Sequence, residues 1–213
     1  MKVIVNKRWA VCTKSFVCLL CCVLLACAEK PSYELSLLDD DAVILAFGDS
    51  LTFGTGVPHS QSYPAVLNQL LPQKVVRSGV PGELSSAGLK RLPEVLQEYS
   101  PQLVVLCHAG NDILRKKDKA LAEDNLVRMI DLIRESGAEV ILLGVPSIGL
   151  SFEVAPFYQR AAARTGVVFD GELIPSLEAS PSLKSDVVHF NQQGYRKMAE
   201  AIAEILDDAG ALL

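Results

Sequence analysis

Short apolar runs alternate with longer amphipathic stretches along most of the chain. Runs at 42–47, 74–78, 103–107, 139–145 and 167–170 have strand length and end in turn-forming residues. Between them the apolar spacing becomes helical. A helix is predicted over 62–71; a second over 85–99 keeps Leu89, Leu92, Val95 and Leu96 on one face; a third over 119–136 repeats Leu121, Leu126, Met129, Ile130 and Ile133. Gly137 is placed to stop that third helix as a C-cap glycine does. Pro93 is expected to distort the second helix, since an interior proline removes one hydrogen bond. Residues 146–150 read as a loop, 152–164 as a helix whose start Pro156 blurs, and 192–206 as a last helix turning Met198, Ala201, Ile202 and Ile205 inward. This βαβα order predicts an α/β fold, a parallel sheet with helices on both faces. No internal repeat, heptad array or low-complexity tract interrupts it.

The first 27 residues do not follow this rhythm. They carry four of the twenty basic residues, Lys2, Lys7, Arg8 and Lys14, and none of the 25 acidic ones. The apolar run over 16–28 is shorter than the roughly 20 residues that span a bilayer, so 1–27 reads as a signal peptide. Its end, Leu24-Leu25-Ala26-Cys27, resembles a bacterial lipobox, in which the cysteine takes a diacylglycerol thioether and becomes the first mature residue. The competing reading is a small-residue cleavage site at Ala26-Cys27-Ala28, which would release a soluble periplasmic protein. Ala28 and Glu29 lack the Asp that favours inner-membrane retention, so the lipoprotein reading places the body on the periplasmic face of an outer membrane. Residues 28–41, ending in Asp39-Asp40-Asp41, read as a tether that packs little, and 42–213 as one domain. Without the leader the formal charge moves from −5 to −9, which argues against nucleic acid as a partner. Five of the six cysteines lie in the leader, so the even count is no disulfide framework; Cys107, in an apolar run, reads as a buried, inert thiol.

Candidate chemistry gathers at the strand ends. In open α/β sheets the ligand crevice lies outside the carboxyl ends of the strands, and there the first strand meets Phe47-Gly48-Asp49-Ser50-Leu51-Thr52. Ser50 is a candidate nucleophile, although Asp49-Ser50 would serve equally as a helix cap. Gly79 follows the second strand and Gly110-Asn111-Asp112 the third; a backbone N–H at Gly79 and the amide of Asn111 are candidate oxyanion donors, or simply strand-ending turns. Of three histidines, His59 reads as an exposed loop residue. His108 ends the third strand, where it either lines the crevice or hydrogen-bonds within it. His189 follows Asp186 by three residues, close enough for the carboxylate to reach Nδ1 of the same ring. A serine hydroxyl needs such a base, and the base needs such an orienting group.

Taken together, these four blocks resemble the SGNH (GDSL-type) hydrolases, most closely the bacterial arylesterase, lysophospholipase L1 and thioesterase I group, over residues 43–206. The resemblance implies a three-layer α/β/α sandwich on a five-stranded parallel sheet of flavodoxin-like order. It implies Ser50 as nucleophile, His189 as base, Asp186 as its orienting acid, and an oxyanion hole from the N–H groups of Ser50 and Gly79 with the Asn111 side chain. It further implies a small-molecule acyl ester substrate: aryl ester, thioester, lysophospholipid or acetylated sugar. Three positions depart from the family pattern: Ser78 where Asn often stands, Phe190 where Pro usually follows the histidine, and His108-Ala109 in place of a glycine-rich approach to Gly110.

Rival classes fit less well. No G-x-S-x-G surrounds Ser50, Gly54-Thr55-Gly56 lacks the later glycine of a dinucleotide loop, and three scattered histidines without a cysteine pair offer no metal-ligand spacing. No cofactor is therefore expected. A catalytically silent lipoprotein binding an acylated ligand, or a carbohydrate O-acetylesterase, remains the alternative.

Overall fold

The computed structural model describes residues 34–147 and 152–212. Five strands, β1 (Val43–Gly48), β2 (Lys74–Gly79), β3 (Leu103–Cys107), β4 (Glu139–Leu143) and β5 (Val168–Asp170), form one sheet. All neighbours pair in parallel, in the order β2-β1-β3-β4-β5. This is the flavodoxin-like order, whose crevice opens where β1 separates β2 from β3.

The central strands are buried on both faces, and their alternation sorts the core into two halves. Ile44, Ala46, Val105, Cys107 and Ile141 face α2 (Tyr63–Leu70), α7 (Leu173–Glu178) and α8 (Gln192–Asp208). Leu45, Phe47, Val104, Leu106 and Leu142 face α3 (Ser85–Tyr99), α5 (Lys119–Glu135) and α6 (Pro156–Thr165). The expected three-layer sandwich is thus present. Cys107 is fully buried, and burial pushes its thiol well above the usual range, so it is a core residue.

Several local expectations are corrected. β4 stops at Leu143 rather than 145: Gly144 still donates to the Asp170 carbonyl (2.7 Å), but the chain then leaves the sheet and Pro146 bridges Val154 instead. α3 runs unbroken through Pro93. Leu121 is exposed and Ala122 takes the inward position. Two short helices, α1 (Ser50–Phe53) and α4 (Gly110–Leu114), start directly at strand ends and went unpredicted, as did α7.

The tether expected over 28–41 is not free over its described part. The Leu35 and Leu38 N–H groups donate to the Ala209 and Ala211 carbonyls (2.8 and 2.9 Å), and Leu38 is buried in the core. The leucine spacing is too short there to register as strand or helix, yet Leu38 is buried in the core and Leu35 packs against it. Cys27, the proposed cleavage sites and residues 28–33 lie outside the described residues.

Candidate active site

The site is assembled at the carboxyl edge of the sheet. Gly48 ends β1 beside Cys107 of β3, so close that a Cβ would sit 2.0 Å from the Cys107 carbonyl oxygen. The chain then turns into α1, where Asp49 caps the helix by accepting from Leu51 N–H (3.4 Å) and Ser50 becomes its first residue. The capping role foreseen for this dipeptide is real and falls to Asp49. It leaves the Ser50 hydroxyl aimed across the crevice.

From the far end of the chain comes a short closed loop. Lys184 and Phe190 form an antiparallel bridge, and Ser185 N–H donates to the His189 carbonyl (2.9 Å). Inside it, one Asp186 oxygen accepts the Val188 and His189 N–H groups, each at 2.8 Å, and the other lies 2.8 Å from His189 Nδ1. Burial acts to raise the Asp186 carboxyl, but the hydrogen bonds from the His189 backbone and ring and from Val188 outweigh it and bring it to about 2. An ionised carboxylate only accepts, so Nδ1 carries the proton. Nε2 is left with its lone pair toward Ser50 Oγ, 3.0 Å away. Asp186, His189 and Ser50 thus form one continuous relay across 139 residues of sequence. Phe190, where proline was the family norm, is fully buried and edge-on to Tyr195 (5.6 Å), so it anchors the loop by packing.

Asn111, at the head of α4, is buried with its Nδ2 donating to Asp49 Oδ2 (3.1 Å). One of the two amide hydrogens is spent on Asp49; the other remains for the crevice. Burial raises the Asp49 carboxyl, with hydrogen bonds from the Leu51 and Ser50 N–H groups and the Asn111 amide opposing. Gly79 pairs with Gly48 at the end of β2 and lies against the α1 backbone, where a Cβ would stand 2.2 Å from Phe53 N. Only glycine fits at that approach. Gly79 does not itself line the cavity that Ser50 and Asn111 line.

That cavity measures about 760 Å³. Ile113 and Leu114 of α4, Val145 and Pro146 after β4, and Phe152 make an apolar wall. Ile148 and Leu150, in the loop between Pro146 and Phe152, lie outside the described residues. The other wall holds an ion pair that sequence reading missed, Lys184 with Glu178. No spacing rule links those two positions, and only the folding of α7 against the 184–190 loop brings them together.

His108 does not line the cavity. It is fully buried, and its Nδ1 accepts the Ala109 N–H (2.7 Å) while Nε2 faces Glu83 (3.1 Å). Nδ1 is therefore unprotonated and Nε2 donates. Ala109 adopts a left-handed conformation (φ 73°) where glycine would be unstrained, and this bond helps to hold it. Glu83 also receives a two-pronged bond from Arg91 (3.0 and 2.7 Å), which in turn donates to Ser78 Oγ (2.6 Å). The three departures from the family pattern therefore all have structural partners. Gly88 leaves room for the imidazole, since a Cβ there would lie 2.2 Å from Nε2.

Burial acts to raise the Glu83 carboxyl, but bonds from His108 and Arg91 bring it down to about 2. Its folded value lies below the ordinary 4.5, so its stabilisation is fully present above pH 4.5 and is lost as pH falls toward 2. Glu83→Gln should cost on the order of 2 kcal/mol at pH 7, less than the roughly 3–5 of a fully buried pair because Arg91 keeps some solvent contact. Thermal melts should show a gap from wild type that narrows steadily below pH 4.5. A gap independent of pH would mean that the carboxylate charge is not its source.

Residues 46–197 match the family model described as GDSL-like Lipase/Acylhydrolase. The chain is 38% identical over 107 residues to the esterase TesA of Pseudomonas aeruginosa, covering 48% of this chain and 53% of that protein, so it spans about half the length of this relative. It is 28% identical over 173 residues to the thioesterase 1/protease 1/lysophospholipase L1 of Escherichia coli, covering 76% of this chain and 82% of the relative. Among solved structures, a crystal structure of TesA superposes with a TM-score of 0.70 at 26% identity, covering 78% of this chain and 99% of the other.

Proposed function

The chain belongs to the GDSL-like lipase/acylhydrolase family, and from that premise we propose that it is a serine esterase working through an acyl-enzyme. The observation that carries this is the relay from Asp186 through His189 to Ser50, with 2.8 and 3.0 Å links and a tautomer fixed by an ionised carboxylate. In this reading His189 Nε2 takes the Ser50 proton as Oγ attacks the ester carbonyl, then returns it to the leaving alcohol or thiol; water repeats the cycle to release the acid. The free Asn111 amide hydrogen and the Ser50 N–H meet the oxyanion, and Gly79, beside the α1 backbone, is assigned as third donor on the family resemblance. No cofactor or metal enters the scheme.

A cavity of about 760 Å³ with one apolar wall supports single-chain acyl esters and thioesters of short to medium length over acetylated sugars, which would need more polar partners. We assign residues 1–27 as an export signal, Cys27 as the lipidation site, and the periplasmic face of an outer membrane as the working place. The lipobox and the basic, acid-free leader support this. A fluorophosphonate probe should label the chain stoichiometrically at Ser50, read by peptide mass spectrometry, and aryl esters of graded acyl length should be hydrolysed. A chain that hydrolyses none of them and labels nowhere would leave only the ligand-binding alternative.

A further inference from the structure

The cavity mouth combines two features that neither catalysis nor core packing explains. Its rim is apolar and open to solvent: Leu114 is 44% exposed, Phe152 47% and Val187 90%. Directly after Leu114, where α4 ends, the chain runs Arg115-Lys116-Lys117-Asp118-Lys119, all exposed. Four positive charges in five residues stand out in a body whose charge, without its leader, is −9. Arg115 donates to the Gly82 carbonyl (2.9 Å), and among the described residues none of the three lysines is ion-paired. The acidic groups nearest in sequence to this face are Asp112, which is buried and accepts from Ser85, Asp118, which caps α5, Glu153 beside Phe152, and Asp186, which is held by His189. Lys184 is neutralised by Glu178.

We propose that this mouth is a docking face for a lipid surface bearing anionic head groups, with Leu114, Phe152 and Val187 entering the interface and Lys116, Lys117 and Lys119 contacting the head groups. Exposed apolar side chains around an active-site entrance are costly in water and favourable at a headgroup boundary. Basic residues beside them add attraction to anionic lipid, each by about fivefold in affinity. An acidic carrier protein or a coenzyme thioester would account for the lysines, but neither accounts for a valine left 90% exposed at the rim. Docked this way, a single-chain amphiphile passes from the surface into the cavity without crossing water. That last step rests on the esterase reading; the docking does not.

The test separates the two. The full chain is used throughout, so that its leader contributes equally to every variant. In a Ser50→Ala background, partition onto vesicles is measured by flotation at limiting lipid, with phosphatidylcholine alone or with one third phosphatidylglycerol. Lys116→Glu with Lys117→Glu should lower partition onto the anionic vesicles at least about twenty-fold and leave the neutral vesicles nearly unchanged, while Val187→Ser lowers both. With Ser50 intact, the two lysine substitutions should leave hydrolysis of soluble p-nitrophenyl butyrate within twofold of wild type. Unchanged partition, or equal loss on both vesicle types, overturns the docking proposal. It is also overturned if the reversal affects only hydrolysis of a soluble acyl-coenzyme thioester, which would assign the lysines to a carrier phosphate. If the butyrate ester is not cleaved while partition responds as expected, docking stands and the esterase reading falls.

Discussion

Replacing Ser50 by alanine is expected to lower ester hydrolysis by about six orders of magnitude, the scale on which a serine triad fails once its nucleophile is gone. Without Oγ no acyl-enzyme forms, and His189 Nε2, left 3.0 Å from a vanished partner, has only water to deprotonate. The fold should hardly notice. Ser50 is buried at the head of α1, but the helix is capped by Asp49, and the 184–190 loop is closed by its own backbone bonds and by the buried Phe190. Among the described residues the hydroxyl's only side-chain bond is to His189, so its loss removes about 1 kcal/mol of net stabilisation at most. Saturation kinetics on an aryl ester beside a thermal melt should show turnover at background with the midpoint shifted by a few degrees or less. Turnover above about one hundredth of wild type would take Ser50 out of the nucleophile's role.

The parts of this molecule that periodicity could reach are those built by burial. Strands covered on both faces leave continuous apolar runs, and helices with one face on the sheet leave a 3.6-residue beat, so all five strands and the five long helices were visible. α1 and α4 were not, because four or five residues complete barely one turn and their first residues are chosen for chemistry rather than for packing. Leu121 misled for the opposite reason. It lies on the beat of α5 but is exposed, while its neighbour Ala122 is the buried one. Of the site, Ser50, Asn111 and the Asp186-x-x-His189 pair were legible as types at strand ends and at loop spacing. Their supports were not. Asp49 reads as a helix cap and is one, but that it also receives the Asn111 amide depends on the β1 and β3 ends lying side by side. Glu83, Arg91 and His108 belong to three different segments, and their meeting needs the missing Cβ of Gly88. Pairwise contacts between elements have no local signature in a single chain.

Asp186→Asn isolates the second large effect, because it removes a charge and almost no volume. The amide oxygen can still accept the Val188 and His189 N–H groups, so the loop should close as before. Its NH₂, however, now faces His189 Nδ1 and donates to it. Nδ1 must then be the acceptor, the ring proton moves to Nε2, and Nε2 presents a hydrogen to Ser50 instead of a lone pair. A base held in the wrong tautomer costs about four orders of magnitude in turnover with the geometry otherwise intact. The wild-type pH profile follows from the same atoms. Asp186, drawn down to about 2, is ionised at any pH at which the enzyme would be assayed, so its own protonation does not shape the profile. Its contribution to stability likewise persists from above the ordinary 3.8 and is lost only as pH falls through about 2. Only an unprotonated His189 Nε2 can accept from Ser50, so kcat/KM should fall tenfold per pH unit on the acid limb, the signature of one proton. A profile with no acid limb of unit slope would exclude His189 as the base. An Asp186→Asn variant within tenfold of wild type would show that the carboxylate does not set the tautomer.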